Sequence, residues 1–109
     1  MGHTNYLKNK PALTDAQWKA LTADVKKLLK ETTIPVGNGH GEKGSKPVFT
    51  KDAILFNGIG DDSHETAAVS KHATDFEFCK TAHKPYDSLV VEFYKLIRKH
   101  APGTIISSD

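Results

Sequence analysis

The stretch LTDAQWKALTADVKKLLK, at residues 13–30, specifies an amphipathic helix and so decides which kind of fold the chain can adopt. Thr14 and Gln17 have the spacing of a capping box, in which each side chain bonds to the backbone N–H of the other residue, and Leu13 is placed to pack on Trp18. Apolar residues then recur at steps of one helical turn, namely Trp18, Leu21, Val25, Leu28 and Leu29. We therefore predict a helix that starts after Thr14 and buries one of its faces.

A second helix is predicted from Pro85 onward, because a proline fits the first turn of a helix without losing a hydrogen bond. Its apolar residues keep helical spacing, namely Tyr86, Leu89, Val90, Phe93, Leu96 and Ile97. Pro102 and Gly103 mark its end. The two helices thus offer two apolar faces that must be covered.

Short apolar runs outside the helices predict strands. They cover residues 54–56, 67–69, 76–79 and 104–107, with residues 4–8 as a candidate edge strand. Phe76 and Phe78 alternate with Glu77 and Cys79, which predicts a half-exposed strand with an aromatic side and a polar or soft side. The glycine-rich residues 36–47 show no apolar period and predict a loop. We therefore predict an α+β fold, a single domain over residues 1–109. In it, two helices pack on one face of a mainly antiparallel sheet of about four to five short strands.

The composition indicates a soluble protein with one hydrophobic core. A length of 109 residues suits one domain, and the net charge of +2 from 15 basic and 13 acidic residues gives no strong nucleic-acid signal. No apolar run is long enough to span a membrane, and the segment after Met1 does not resemble a signal peptide. Cys79 is the only cysteine and has no partner for an internal disulfide, so we predict a cytoplasmic protein.

Polar residues are concentrated between Asn57 and Asp87. Lys80 and Lys84 come just before the second helix, where free N–H groups and the helix dipole favour an anion. This position predicts a site for a phosphate or a carboxylate. The alternative is that these are solvated turn residues and that Asp87 is only a carboxylate at a helix start.

Asp61, Asp62 and His64 are candidate ligands of a divalent metal ion, since carboxylates suit Mg²⁺ or Ca²⁺ and imidazole suits Zn²⁺. Their spacing matches no established metal motif, and the usual alternative is a solvated acidic turn. The sequence does not indicate a particular cofactor.

His64 and Glu65 are candidate catalytic residues, acting as a general base and its partner while Lys80 or Lys84 stabilises negative charge. Such a set would suit a phosphodiesterase or a nuclease. Successive residues of a strand point to opposite faces, so the pair could act together only within a turn. Cys79 is interpreted as a small core residue rather than as a nucleophile.

Four separated blocks can be compared with known families: GHTNY (residues 2–6), FNGIGDDSHET (56–66), FEFCKTAHKPYD (76–87) and SSD (107–109). In this order they resemble a family of small uncharacterised proteins found in bacteria and their phages. The resemblance implies a shared fold, in which residues 4–6 belong to a first strand and the last strand is a shortened edge. It also implies a shared polar surface, which here comprises Asn57, His64, Glu65, Thr66, Lys80, Thr81, Lys84, Tyr86, Asp87, Ser108 and Asp109.

These features support three functional hypotheses. The first is a small soluble binding or interaction domain, a bacterial or phage accessory protein, that recognises an anionic small ligand or a protein partner through the polar surface. The alternative is a small hydrolase or nuclease that uses His64 and Glu65, with or without a divalent metal ion. The third is assembly with another copy through the predicted edge strand near Ser107.

Overall fold

Two α-helices, six strands and one short 3-10 helix (Gly60–Asp62) make up the fold of residues 3–109, which are the residues that this computed structural model describes. The elements are β1 (Thr4–Lys10), α1 (Asp15–Glu31), β2 (Val48–Phe49), β3 (Ala53–Phe56), β4 (Ala67–Ser70), β5 (Thr74–Lys80), α2 (Asp87–His100) and β6 (Ile105–Ser108). The α+β class is confirmed, and no helix in the described part of the chain has the length and apolarity of a membrane span. Gly2, the first residue of the GHTNY block, lies outside the described residues.

The strands form two antiparallel sheets. The terminal sheet has the order β5-β1-β6 and brings together both ends of the described chain, and the middle sheet has the order β2-β3-β4. Strand β2 is not predicted by the sequence, because its two residues, Val48 and Phe49, are too few to show an alternation. The polypeptide passes from the terminal sheet to the middle sheet through α1 and returns to the terminal sheet between β4 and β5.

Strand β1 is the centre of the terminal sheet, so the prediction of an edge strand at residues 4–8 is wrong. Tyr6 pairs with Phe78 of β5 on one side and with Ser107 of β6 on the other. The polar residues around Tyr6 suggested exposure, yet Asn5 is only 1% exposed because its side chain is hydrogen-bonded inside the protein. Strand β6 lies at an edge, as the resemblance implied.

Helix α1 starts as the sequence predicts. The Thr14 side chain accepts a hydrogen bond from the Gln17 N–H at 3.1 Å, and the Gln17 side chain accepts one from the Thr14 N–H at 2.8 Å. Leu13 and Trp18 are both buried. The reciprocal bonds provide partners for N–H groups that a helix start would otherwise leave without any.

Helix α2 starts at Asp87, slightly later than predicted. A tight turn precedes it, in which the Lys84 N–H donates to the Thr81 carbonyl and the Asp87 N–H donates to the Lys84 carbonyl, each at 2.9 Å. Pro85 therefore belongs to the turn that leads into the helix and not to the helix itself.

A common core lies between the helices and the two sheets. Its buried residues come from both helices and from β1, β3, β4 and β5, and they include Leu7, Leu21, Val25, Ile54, Phe56, Val69, Cys79, Phe93 and Ile97. Phe56 and Phe93 meet edge to face with ring centroids 5.0 Å apart, which joins the middle sheet to α2. Helix α2 packs against β1 and β6 and so covers one face of the terminal sheet. The opposite face, here termed the outer face, carries exposed side chains.

Candidate functional site

Asn57, directly after β3, holds the turn that carries much of the predicted polar surface. Its side chain is 1% exposed and bonds only to backbone groups. The amide nitrogen donates to the carbonyl groups of Gly39 at 3.0 Å and His64 at 2.9 Å. The amide oxygen accepts from the N–H groups of Gly58 at 2.8 Å and His64 at 3.0 Å. Both polar atoms are thus used within the fold, and a role of Asn57 in ligand binding stays a prediction.

Glu65, Thr66 and Tyr86 also bond to the backbone. The buried Tyr86 hydroxyl donates to the Glu65 carbonyl at 2.6 Å, and the Glu65 carboxylate accepts from the Lys80 N–H at 2.8 Å. The Thr66 hydroxyl donates to the Gly39 carbonyl at 2.6 Å. The two Glu65 bonds tie the segment before β4 to the end of β5 and to the start of α2, so they connect the two sheets, whereas the Thr66 bond holds the glycine-rich loop.

Tyr86→Phe is expected to lower the free energy of unfolding by about 1 to 2 kcal/mol, because the buried Glu65 carbonyl loses its strongest donor. Tyr94 provides a matched control, since its hydroxyl is buried and has no hydrogen-bond partner within residues 3–109. Tyr94→Phe should therefore leave stability unchanged or raise it. Denaturant unfolding of both variants measures the difference, and a larger loss for Tyr94→Phe would contradict this assignment.

Asp87 is the centre of a group of side chains termed the Asp87 network, which also contains His3, Asn5, Thr81 and Ser108. One Asp87 carboxylate oxygen accepts from Asn5 Nδ2 at 2.8 Å and from the Thr81 hydroxyl at 2.5 Å, and His3 Nε2 lies 3.5 Å from it. The Ser108 hydroxyl donates to the Asn5 side-chain oxygen at 2.6 Å. The network therefore links β1, β6 and the start of α2, and it brings three of the predicted site residues together.

His3 and Asn5 join this network although the sequence did not single them out as site residues. Both belong to the GHTNY block, which implied only a strand. Asn5 faces Ser108 in the register of the sheet, and the His3 ring lies against the His83 ring with centroids 4.5 Å apart. The position of Asn5 in that block, beside Thr4 and Tyr6, was the one signal that could have identified it.

The predicted metal ligands and the candidate general base His64 are side chains on the protein surface. Asp61, Asp62, His64 and Asp109 are exposed. No group of three or more His, Cys, Asp or Glu side chains is placed to hold a metal ion anywhere in residues 3–109. The Glu65 carboxylate bonds to a backbone N–H, as described above. Catalytic and metal-binding roles for these residues stay predictions to which the geometry adds no support.

The Lys80 side chain lies on the outer face of the terminal sheet, and an anion site formed by Lys80 and Lys84 at the start of α2 stays a prediction. The Asp87 N–H already bonds to the Lys84 carbonyl at 2.9 Å. The Lys80 ammonium group lies over the Phe78 ring, 5.8 Å from its centroid, on the outer face of the terminal sheet. Part of the positive charge predicted for the helix start therefore belongs to a neighbouring surface.

That surface is a cluster of rings and lysines, termed the aromatic face, formed by Tyr6, Lys8, Phe76, Phe78 and Lys80. Phe76 is 50% exposed and Phe78 is 43% exposed. The Phe76 ring centroid lies 6.1 Å from that of Tyr6 and 5.9 Å from that of Phe78. The Lys8 ammonium group lies 5.9 Å from the Phe76 centroid. The rings thus form a continuous apolar strip with an ammonium group beside each phenylalanine.

The alternation of Phe76 and Phe78 with Glu77 and Cys79 predicted a strand with one exposed face, and the strand is confirmed. The aromatic side is the exposed one, whereas Cys79 faces the core and is 0% exposed. Burial raises the pKa of the Cys79 thiol to about 12, so the sulfur is protonated at neutral pH. The interpretation of Cys79 as a small core residue is therefore confirmed.

A second concave surface, termed the lysine groove, lies between α1 and β2. It consists of two adjoining cavities of about 420 Å³ and 330 Å³, which share Lys26 and Phe49. Lys30 and Lys46 line the smaller cavity. Because it also combines lysines with an aromatic ring, this groove is a natural comparison for the aromatic face.

All four sequence blocks contribute to the region where the aromatic face adjoins the Asp87 network. Thr4 of the first block pairs with Lys80 of the third, and Asn5 pairs with Ser108 of the last. Glu65 of the second block bonds to the Lys80 N–H. Comparisons of the chain with protein-family models, curated proteins and solved structures found no match.

Proposed function

We propose that this chain is a non-catalytic binding domain whose anionic partner docks on the aromatic face. The observation that carries the proposal is the position of Lys8 and Lys80, whose ammonium groups lie 5.9 Å and 5.8 Å from the centroids of the exposed Phe76 and Phe78 rings. A contiguous apolar strip that faces water is unfavourable by itself and commonly marks an interaction surface in soluble proteins. The lysines give this strip a positive rim, which favours carboxylates or phosphates as partners.

The Asp87 network supports this surface from the side. Thr81 and Asp87 connect the end of β5 to α2, and the Ser108 contact with Asn5 holds β6 against β1. In this proposal Thr81, Asp87 and Ser108 are positioning residues, because they keep the strands that carry the rings in register. Their predicted role in the site is thereby retained, although they act through the sheet.

A second copy of the chain is a poorer partner for the aromatic face than an anion. Stacking of two such faces would bring Lys8 and Lys80 of one copy against the lysines of the other, and like charges repel. The acidic residues of β5, Asp75 and Glu77, alternate with the phenylalanines and so point to the opposite side of the strand. A cytoplasmic accessory role in a bacterium or a phage agrees with the single, buried cysteine.

Lys8→Ala/Lys80→Ala is expected to weaken binding of inorganic polyphosphate by about tenfold or more at low salt, because both charges beside the rings are lost. Lys30→Ala/Lys46→Ala removes the same charge from the lysine groove and should leave the affinity nearly unchanged. Calorimetric titration measures both affinities, with thermal melting as a check on folding. A loss confined to the groove variant, or no binding by the unmodified protein, would refute the proposal.

A further inference from the structure

We infer that the anionic partner is a single-stranded nucleic acid whose bases stack on Phe76 and Phe78. This inference rests on the proposed function, since it names the partner of the same aromatic face. Its basis is a repeated pair of groups: Lys8 accompanies Phe76, and Lys80 accompanies Phe78. A single strand of nucleic acid repeats a planar base and a phosphate in every unit, which matches a ring with an ammonium group beside it.

The spacing of the rings suits neighbouring bases. Phe76 and Phe78 are alternate residues of β5, which places them on the same side of the strand, and their ring centroids are 5.9 Å apart. Every base has a π-face, so aromatic side chains on a sheet can stack about two or three successive unpaired bases. Tyr6 extends the surface onto the neighbouring strand, with its centroid 6.1 Å from that of Phe76. The face therefore offers room for about two or three nucleotides.

The lysines lie at opposite ends of this strip. In the register of the sheet, Lys8 is level with Phe76, Tyr6 is level with Phe78, and Lys80 is level with Thr4. A single strand of nucleic acid whose bases stack on the rings therefore passes one ammonium group near each end of the strip. Contacts of this kind give binding that falls steeply as the salt concentration rises.

The β6 side of the face is less suited to phosphates. Asp109 follows β6, and its N–H donates to the Thr4 carbonyl at 3.1 Å, so a carboxylate borders the face across β1 from Lys80. Ile105 of β6 is 52% exposed but has no planar group. We therefore expect the nucleic acid to lie along β5 and β1 and to avoid β6.

Duplexes and acidic peptides match the face less well. In a duplex the bases are stacked on one another, so their faces are not available to protein rings. An acidic peptide supplies negative charge, but it does not carry a planar group beside every charge. Only a single strand provides both groups at every repeat.

Fluorescence anisotropy can test the inference with labelled DNA and RNA strands of mixed sequence, about ten nucleotides long. The reference is an abasic strand of the same length, which keeps the phosphates and has no bases. We expect the protein to bind the normal strand about tenfold or more tightly than the abasic strand. Phe76→Ala/Phe78→Ala should abolish this preference and leave the weak binding of the abasic strand unchanged.

Replacement of the two lysines should differ from replacement of the phenylalanines in its effect on the abasic strand. Lys8→Ala/Lys80→Ala is expected to weaken binding of both strands. The slope of log K against log salt should become shallower by about 1.4, since each phosphate contact with a single strand contributes about 0.7. An unchanged slope would contradict the assignment of the lysines to phosphates.

Phe49→Ala is the matched control, because Phe49 also has an ammonium group nearby, that of Lys26 at 5.2 Å from the ring centroid, but lies in the lysine groove. The Phe49→Ala variant should keep the preference for the normal strand over the abasic strand.

Equal affinity of the unmodified protein for normal and abasic strands, or tighter binding of the matching duplex, would overturn the inference while the binding of polyphosphate still supported the proposed function. Loss of polyphosphate binding as well would refute both. The phenylalanine rings are half-exposed, so thermal melting should show that their double variant folds.

Discussion

Asn57→Ala should lower the free energy of unfolding by about 3 to 4 kcal/mol, which is the largest effect that we expect from a single change at the predicted polar surface. The Asn57 side chain is 1% exposed and bonds to backbone groups of Gly39, Gly58 and His64. Alanine would remove the partners of the buried Gly58 N–H and of the partly buried N–H and carbonyl groups of His64, and each buried group left without a partner costs about 1 to 3 kcal/mol. Denaturant unfolding monitored by circular dichroism measures the loss.

Two variants act as controls for this prediction. Asn57→Asp keeps both accepting interactions but sets a carboxylate against the carbonyl oxygens of Gly39 and His64, so its stability should not exceed that of the original protein. Asn38→Ala removes a half-buried asparagine that also bonds to backbone N–H groups, those of His40 and Glu42, through bonds that are exposed to solvent. Water can replace these bonds, so we expect a loss of about 1 kcal/mol or less. Equal losses for Asn57→Ala and Asn38→Ala would contradict the role given to Asn57.

Gly58→Ala should lower the free energy of unfolding by about 3 kcal/mol through steric overlap. A Cβ atom at Gly58 would overlap the backbone carbonyl of Asp62 and would lie 3.1 Å from the Tyr86 ring. The carbonyl is part of the backbone of the turn after β3, so the overlap can be relieved only by a shift of that turn. The Tyr86 ring is buried, and its movement would disturb the bond to the Glu65 carbonyl that helps to join the two sheets. The melting temperature should fall by about 4 °C or more for each kcal/mol lost.

Gly44→Ala measures the cost of backbone strain in the absence of steric overlap. Gly44 has a φ of +80°, which disfavours any residue with a Cβ atom, but no atom lies within 4 Å of the position that the Cβ would take. Strain alone should therefore cost about 1 kcal/mol. If Gly58→Ala destabilised the protein no more than Gly44→Ala does, the close approach to Asp62 and Tyr86 would not limit this turn.

Asn57 and Gly58 thus differ in kind from Phe76 and Phe78. The first pair is buried, and its replacement should unfold the protein at lower denaturant concentration. The second pair is half-exposed, and its replacement should change binding while the fold persists. Comparison of stability and binding across these variants therefore distinguishes residues that hold the fold from residues that contact a partner.

Much of the fold followed from local patterns. The capping box at Thr14 and Gln17 placed the start of α1, because the bonds that form it join residues only one turn apart. Helix α2 was found from its apolar spacing, although its start was set later by the turn that includes Pro85. Strand β2 was missed because two residues carry no period.

The candidate site was predicted less completely, because its contacts join residues far apart in sequence. Asn57, Tyr86 and Asp87 were all marked as polar residues near one another in the chain. Their side-chain bonds, however, reach Gly39, Glu65 and Asn5, and no local pattern specifies such partners. Phe76 and Phe78 were recognised as one side of a strand, but alternation alone does not tell which side meets the core.

Interactions between near neighbours in the chain specify both helices, the glycine-rich loop and most strands, and therefore the α+β class. Contacts between distant segments place residues 4–8 at the centre of a sheet, surround the Asn57 side chain with backbone partners, and turn Phe76 and Phe78 outward with Lys8 and Lys80 beside them. The two groups of features differ in the separation along the chain over which their interactions act. Helical spacing and capping act within about one turn of the chain, whereas strand pairing and burial depend on which distant segments meet.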